Sequence, residues 1–274
     1  MSSTLTRLAN ILTLGYAGTR SGQRRVRVIA ANSICAFLRL RSRPIDAASL
    51  GQVLVVAPHP DDESLGCGAT IASLAGAGHS VSVLFLTDGE HSHAAYPEID
   101  PRALAVRRRA EALAATALLG IGPARIRFAQ LPDGRLPALV SAGDAASVGI
   151  LASAITDLRP CTILLPYRRD GSSDHEAAFV LVARAVTKSA HPCRILEFPV
   201  WALWSPGRLI SPAFSCPAVW RTRASAFRCA KNRAVASYVS QASPLPPAPV
   251  AVLPEGFVSM FLERDEFLLE YRAT

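Results

Sequence analysis

The sequence lacks the features that define several large classes of protein. No apolar run reaches the roughly 18 residues that indicate a membrane-spanning helix. The six cysteines stand apart and none forms a C-x-x-C pair, so we expect neither a disulfide framework nor a thiolate zinc site. Charged residues make up only 18% of the 274 residues, whereas 50% are hydrophobic, which is enough for a sizeable core.

Three well-known catalytic or nucleotide-binding motifs are also missing. Gly66 and Gly68, after the first apolar run, do not form G-x-G-x-x-G, so dinucleotide binding is poorly supported. The chain contains neither G-x-x-x-x-G-K-[ST] nor G-x-S-x-G, which leaves nucleotide hydrolysis and serine esterase chemistry without a motif. No internal repeat and no long low-complexity linker divides the chain.

Acidic residues are absent from residues 1–45, which carry eight arginines and no lysine. The rest of the chain has 21 basic and 21 acidic residues, so the net charge of +8 belongs to this segment. We expect a solvated or poorly ordered basic extension over residues 1–48, followed by one domain over residues 49–274. The alternative is peripheral contact of this extension with anionic lipid or an acidic partner.

The N-terminal segment also bears on location and partners. Residues 5–16 are apolar but show no clear signal-peptide cleavage pattern, so we expect a cytoplasmic protein. Nucleic acid is not expected as a partner, because the segment has few aromatic residues for stacking and the domain itself is neutral.

From residue 52, short β-rich runs alternate with alanine-rich helical runs, which favours an α/β domain with a mostly parallel sheet and helices on both faces. We expect one apolar face on the second helix, formed by Ala103, Val106, Ala110, Leu113 and Ala117. After residue 200 the pattern weakens and predicts an irregular C-terminal part. The predicted strands span 52–57, 80–87, 125–130, 161–166 and 194–200, and the predicted helices span about 67–78, 102–119, 144–158 and 175–189.

The first predicted strand ends directly before Pro58-His59-Pro60-Asp61-Asp62-Glu63. Three carboxylates this close repel one another unless a cation lies among them. Ligands in open α/β sheets bind outside the carboxyl ends of strands, which is where these residues fall. The pattern therefore predicts a divalent metal site with His59 and Asp62 as two ligands, and with Asp61 free to act as general base.

A third ligand must come from elsewhere in the chain. His175 is the best candidate, because it follows the strand 161–166 and opens a helix. His79 and His191 precede strands and therefore fall at the opposite edge of the sheet. His91 and His93 fall at the correct edge and could be pocket residues, but we favour their interpretation as residues of a solvated loop.

Taken in order, the motifs of residues 50–245 resemble those of the PIG-L (LmbE-like) N-deacetylase family. The resemblance begins with Ala57-Pro58-His59-Pro60-Asp61-Asp62-Glu63 and Gly66-Cys67-Gly68-Ala69-Thr70. It continues with Thr87-Asp88-Gly89, Arg108-x-x-Glu111, Leu131-Pro132-Asp133-Gly134, Asp174-His175-x-Ala177 and a late block from Lys231 through Tyr238 to Gln241.

The resemblance implies a Rossmann-like, zinc-dependent hydrolase that removes acetyl groups from N-acetylglucosaminyl compounds or cleaves related amides. By position, His59, Asp62 and His175 would be the zinc ligands and Asp61 the general base. Arg108 and Asp133 match positions near the sugar, and Glu63 would support the metal loop.

One position departs from the family pattern. The family commonly carries a His three residues before the last ligand, whereas this chain carries Ser172. A serine hydroxyl can donate a hydrogen bond but cannot carry positive charge. Two alternatives therefore stay open beside the deacetylase: a metal-dependent amidase of a thiol-sugar conjugate, and a sugar- or metal-binding member with weakened catalysis. A small N-acyl sugar or glycoconjugate is the expected partner, and another divalent metal could replace zinc.

Overall fold

The computed structural model describes residues 20–210 and 218–271. Within these ranges the strands are β1 (Arg43–Pro44), β2 (Val53–Ala57), β3 (Val81–Phe85), β4 (Ile126–Phe128), β5 (Thr162–Pro166), β6 (Arg194–Phe198), β7 (Val219–Thr222) and β8 (Glu266–Glu270). The α-helices are α1 (Arg20–Arg41), α2 (Asp62–Gly76), α3 (Pro101–Leu118), α4 (Leu136–Ala142), α5 (Ala145–Leu158), α6 (Ser173–Ser189), α7 (Trp201–Trp204), α8 (Arg228–Ala236), α9 (Val239–Ala242) and α10 (Ser259–Leu262). All five predicted strands and all four predicted helices are present, with shifted ends.

One eight-stranded sheet has the order β1-β7-β8-β6-β5-β2-β3-β4. The run from β6 to β4 is parallel, and β8 is antiparallel to both of its neighbours. The central strands are buried on both faces, with Val53 and Val55 in one core cluster and Leu54 and Val56 in the other. The predicted α/β fold with a mostly parallel sheet and helices on both faces is confirmed.

The chain reverses direction across the sheet at β2. From β2 it runs outward through β3 to β4, and it then returns to place β5 on the other side of β2. The crevice between the carboxyl ends of two strands that diverge in this way is where open α/β sheets bind ligands. Both β2 and β5 end directly before residues predicted for the site.

The predicted apolar face of α3 was wrong. Val106 is 68% exposed and Leu113 is 39% exposed, whereas the residues that pack inward include Leu104 and Ala112. Arg108 lies on this inward face as well. A helix rich in alanine carries apolar residues on several faces. Because the inward face includes a buried arginine, the hydrophobic periodicity of the sequence does not identify that face.

The expected solvated extension was wrong for the residues that the structure describes. Helix α1 buries Ala31 and Leu38 completely in the larger core cluster, and β1 pairs in parallel with β7. Residues 1–19, which include the apolar segment 5–16, lie outside the described residues. The boundary between an extension and a domain at residue 49 stays a prediction.

The C-terminal part contributes β7 and β8 to the sheet rather than only irregular chain. Glu266 at the start of β8 accepts hydrogen bonds from the backbone N–H groups of Ala69 and Thr70 in α2, both at 2.7 Å. Lys231 Nζ donates to Glu266 at 2.6 Å and to the carbonyl of Leu65 at 2.9 Å. The late sequence block thus anchors the C-terminal strands to the helix that begins at the predicted site.

No single helix among the described residues has the length and apolar composition needed to cross a membrane. The helices α4 and α5 pass that test only as a pair bent by 106°. Leu136, Leu151 and Ile155 of this pair are buried in the smaller core cluster.

Candidate metal centre and active site

Polar residues from four strand ends meet at the crevice beside β2, as the sequence predicts. They line a cavity of about 470 Å³. The predicted site residues on its lining are His59, Asp61, Asp62, Arg108, Asp133 and Ser172. His175, the seventh, is completely buried directly behind Asp62.

Asp62 lies between two imidazole rings. His59 Nδ1 is 3.2 Å from Asp62 Oδ2, and His175 Nε2 is 3.2 Å from Asp62 Oδ1. The ring centroids of the two histidines are 5.5 Å apart. One nitrogen from each ring and one carboxylate oxygen thus lie close enough together to share a metal ion.

His175 carries the clearest sign that a cation fits here. Its Nε2 is buried and faces Asp62 Oδ1 at 3.2 Å, the carboxylate that would share the metal. Its Nδ1 is 2.8 Å from Asp170 Oδ2. A histidine with one ring nitrogen on an orienting carboxylate and the other facing the metal position has the usual arrangement of a metal ligand. Two imidazoles and one carboxylate suit Zn²⁺ and are also compatible with other divalent transition metals.

The electrostatics of the cluster favour positive charge. Burial acts to lower the pKa of His175, but the charge of Asp62 and the hydrogen bonds of Asp170 and Asp62 raise that pKa to about 9. Burial acts to raise the pKa of Asp62, yet the neighbouring His175 and His59 hold it well below its usual range. The site therefore stabilises a cation, which can be a proton on each ring or a metal ion between them.

Asp61 stands beside the cluster in a conformation that few residues adopt. Its φ is +135°, and such strain costs on the order of 1–3 kcal/mol and is concentrated at functional sites. Its backbone N–H donates to Glu63 Oε2 at 3.2 Å, and Glu63 in turn accepts hydrogen bonds from Tyr238 and Ser64. Burial, followed by the charge of Asp62, raises the pKa of Asp61 to about 8.

Arg108 joins the loop after β2 to the loop after β3. Its guanidinium donates to the carbonyl of Pro60 at 2.6 Å and to that of Gly89 at 2.9 Å, and it lies 3.6 Å from Asp61 Oδ2. Gly89 has a φ of +68°, and a Cβ there would lie 1.7 Å from Arg108 Nη1. Arg108 is thus held rigidly beside the carboxylate predicted to act as base, and Gly89 is required for that contact.

Asp133 and Ser172 occupy the cavity wall. Asp133 Oδ1 is 3.2 Å from His59 Nε2, and Asp133 Oδ2 accepts the backbone N–H of His91 at 2.8 Å. Ser172 precedes the first residue of α6, and its hydroxyl does not cap that helix. The prediction that His91 and His93 lie in a solvated loop was wrong for His93, which is buried with its Nδ1 3.1 Å from Ser92 Oγ.

Asp170 and Asp174 are the residues that the sequence-based reasoning missed. Asp170 accepts hydrogen bonds from the backbone N–H groups of residues 200, 201 and 202 in addition to contacting His175. Asp174 accepts the backbone N–H groups of Gly134 and Leu136 and lies 3.2 Å from His59 Nε2. Both belong to the polar run after β5. The available signals were this position at a strand end, shared with His175, and the place of Asp174 in the motif Asp174-His175-x-Ala177.

We predict that Asp170→Ala lowers the affinity for zinc by about 10–100-fold, the usual cost of removing a carboxylate that orients a ligating histidine. Zinc affinity can be measured by competition with a chelator. Asp144→Ala is the matched control, because Asp144 also accepts a backbone N–H, from Ser147 at 2.8 Å, but caps α5 away from the cavity. An equal loss of zinc affinity in both variants would contradict the assignment.

Three comparisons with known proteins bear on this site. Residues 54–186 match the family model described as PIG-L: GlcNAc-PI de-N-acetylase. The chain is 39% identical over 132 residues to 1D-myo-inositol 2-acetamido-2-deoxy-alpha-D-glucopyranoside deacetylase from Kineococcus radiotolerans. This alignment covers 44% of this chain and 35% of the relative. It is 31% identical over 144 residues to diacetylchitobiose deacetylase from Thermococcus kodakarensis. This second alignment covers 52% of this chain and 51% of the relative.

A similar fold occurs in a conserved protein from Thermus thermophilus. The structures share 26% sequence identity with a TM-score of 0.58, over 82% of this chain and 96% of the other. In sequence, by contrast, the matches span only about a third to a half of the two curated relatives. The part of the chain after residue 186, which closes one side of the cavity, lies outside the family match.

Proposed function

Residues 54–186 form a PIG-L family domain, and from this premise we propose that the protein is a metal-dependent N-deacetylase. Its substrate would be an N-acetylglucosaminyl-type or related N-acylated compound, as the names of the relatives suggest. The observation that supports this most directly is the cluster of His59, Asp62 and His175 with a separate carboxylate, Asp61, beside it on the cavity lining.

His59, Asp62 and His175 would hold Zn²⁺ or another divalent metal. When bound, such a cation would polarise the acyl carbonyl and increase the acidity of a water molecule. Three protein ligands are the number typical of catalytic zinc sites, whereas structural zinc sites usually have four. Asp170 would orient His175, and Asp133 with Asp174 would orient His59.

Asp61 would act as the general base. It would accept the proton of the attacking water and later pass that proton to the leaving amine. The fixed guanidinium of Arg108, 3.6 Å away, would stabilise its ionised form. Arg108, Asp133 and Ser172 would contact the sugar, and the Ser172 hydroxyl would donate a neutral hydrogen bond where the family commonly carries an imidazole.

One alternative has a specific observation in its favour. Losing one oxyanion donor costs on the order of 10²–10³ in rate, so Ser172 favours a member that binds metal and sugar but turns over slowly. A metal-dependent amidase of a thiol-sugar conjugate would use the same ligands and base. We retain the cytoplasm as the predicted location.

Metal analysis and acetate release test the proposal. Protein purified without chelator should contain about one divalent metal ion per chain, and should release acetate from N-acetylglucosaminyl-inositol or diacetylchitobiose. A chelator should abolish the release, and added zinc should restore it. Tightly bound metal without acetate release from either compound would support the weakened member instead.

A further inference from the structure

One side of the cavity is apolar, although the residues around the metal cluster are polar. The apolar wall consists of Val200, Trp201, Val252, Leu253 and Phe257. Trp201 and Val252 are partly exposed, and the other three are buried. Every member lies after residue 186, outside the family match, so the wall is a feature of this chain rather than of the matched segment.

The apolar wall is held by ring packing and is linked through Asp170 to the metal cluster. The rings of Trp201 and Phe257 have centroids 4.5 Å apart, and Phe257 also packs on Trp204 at 5.6 Å. Arg27 of α1 donates to the carbonyl of Trp204 at 3.0 Å. Asp170, which contacts His175, also accepts the backbone N–H of Trp201 at 2.8 Å. A group bound at the reacting centre therefore has this wall within immediate reach.

The polar side of the cavity discriminates by charge. Its lining includes the four carboxylates of Asp61, Asp62, Asp133 and Asp174 and one guanidinium, that of Arg108. Arg108 is already bonded to two backbone carbonyls. Among the described residues, Arg108 is the one arginine or lysine on this lining, so a substrate phosphate would meet several carboxyl groups and no second guanidinium or ammonium group to pair with.

We propose that the preferred substrate is an uncharged N-acylated amino sugar that carries an apolar group, which packs on the apolar wall. This inference rests on the proposed function and specifies its substrate. A cavity of about 470 Å³ falls within the roughly 300–1,000 Å³ range of pockets that enclose drug-sized ligands. The apolar group can be either the aglycone or an N-acyl chain longer than acetyl, since the wall begins beside the metal cluster.

Four compounds test the proposal with the zinc-loaded protein: N-acetylglucosamine, octyl N-acetylglucosaminide, N-octanoylglucosamine and N-acetylglucosamine 1-phosphate. Each methylene that is fully buried strengthens binding by about fourfold. We call octyl N-acetylglucosaminide and N-octanoylglucosamine the two octyl compounds, because each carries an eight-carbon chain. One of them should therefore have a kcat/KM at least about tenfold above that of N-acetylglucosamine. The kcat/KM of N-acetylglucosamine 1-phosphate should be lower than that of N-acetylglucosamine. Which octyl compound is preferred identifies the aglycone or the acyl chain as the source of the apolar group.

Binding measured by calorimetry separates this inference from the proposed function. An octyl compound that binds at least about tenfold more tightly than N-acetylglucosamine but is not hydrolysed would refute the hydrolase and uphold the apolar subsite. Equal binding and equal kcat/KM for the octyl compounds and N-acetylglucosamine would overturn the subsite, whether or not hydrolysis occurs.

Two variants test whether the preference for the octyl compounds depends on the apolar wall. Trp201→Ala should reduce the octyl preference by about tenfold, and Val252→Asn by about fivefold, because each removes apolar contact area. Val252 is partly exposed, so its variant keeps the test valid if Trp201→Ala fails to fold. Val250→Asn is the control, since Val250 is 62% exposed and does not line the cavity. An octyl preference unchanged in Val252→Asn and in folded Trp201→Ala would also overturn the proposal.

Discussion

Asp61→Asn should lower kcat for acetate release by about 10²–10⁴-fold, the range expected for removing a general base. Asparagine has nearly the same shape and adopts unusual φ values more readily than most residues, so the strained backbone at φ +135° should be preserved. The metal content should remain that of the unchanged protein, because Asp61 is not a member of the His59, Asp62 and His175 group. Single-turnover kinetics together with metal analysis on the same sample measures both quantities.

The neighbouring residue supplies the sharpest contrast. Asp62→Asn makes the same chemical change one residue away, but it removes a carboxylate that faces both histidines, so it should lose the metal as well as the activity. Asp157→Asn, at a surface ion pair with Arg127, should change neither. If Asp61→Asn released the metal, or kept more than about a tenth of the activity, the division between base and ligands would be wrong.

His175→Ala should abolish both high-affinity zinc binding and acetate release. Removal of an orienting carboxylate already costs about 10–100-fold in metal affinity, so removal of a ligand itself should cost at least about 100-fold. The loss of affinity can be followed by competition with a chelator. Added zinc should restore activity to the chelated, unchanged protein but not to the variant.

His79→Ala is the control for this substitution. His79 precedes β3 and therefore lies at the opposite edge of the sheet from the cavity, so its replacement should leave zinc affinity and turnover unchanged. His175 is completely buried, and circular dichroism must show that the variant is folded before its metal content is compared. A folded His175→Ala protein that still bound zinc tightly would exclude the proposed ligand set.

Local sequence patterns predicted the central part of the fold well. Strand β2 is short, wholly apolar and buried throughout, and β5 differs only in beginning with Thr162, so their composition alone identifies them. The same patterns failed for α3, where alanines on the solvent side resemble a core face and the inward face carries Arg108. They also failed for α1, because the many arginines concealed the three buried positions, Ala31, Cys35 and Leu38, that attach it to the domain.

The sequence by itself determined which chemical groups stand at the strand ends. His59, Asp61 and Asp62 follow a buried strand directly, and the parallel α/β pattern already implies that such residues share one edge with His175. These placements follow from the order of strands, helices and polar residues along the chain, which the hydrophobic pattern of the sequence indicates.

Only the tertiary structure decided which of those groups contact one another and which other residues hold them in place. The two rings of His59 and His175 meet on Asp62 because β5 returns beside β2, a pairing between residues more than a hundred positions apart. The roles of Asp170 and of the apolar wall depend in the same way on contacts with segments after residue 198. Such contacts between distant segments leave no periodic trace in the sequence, because each side chain is placed by the packing of the whole domain rather than by its neighbours in the chain.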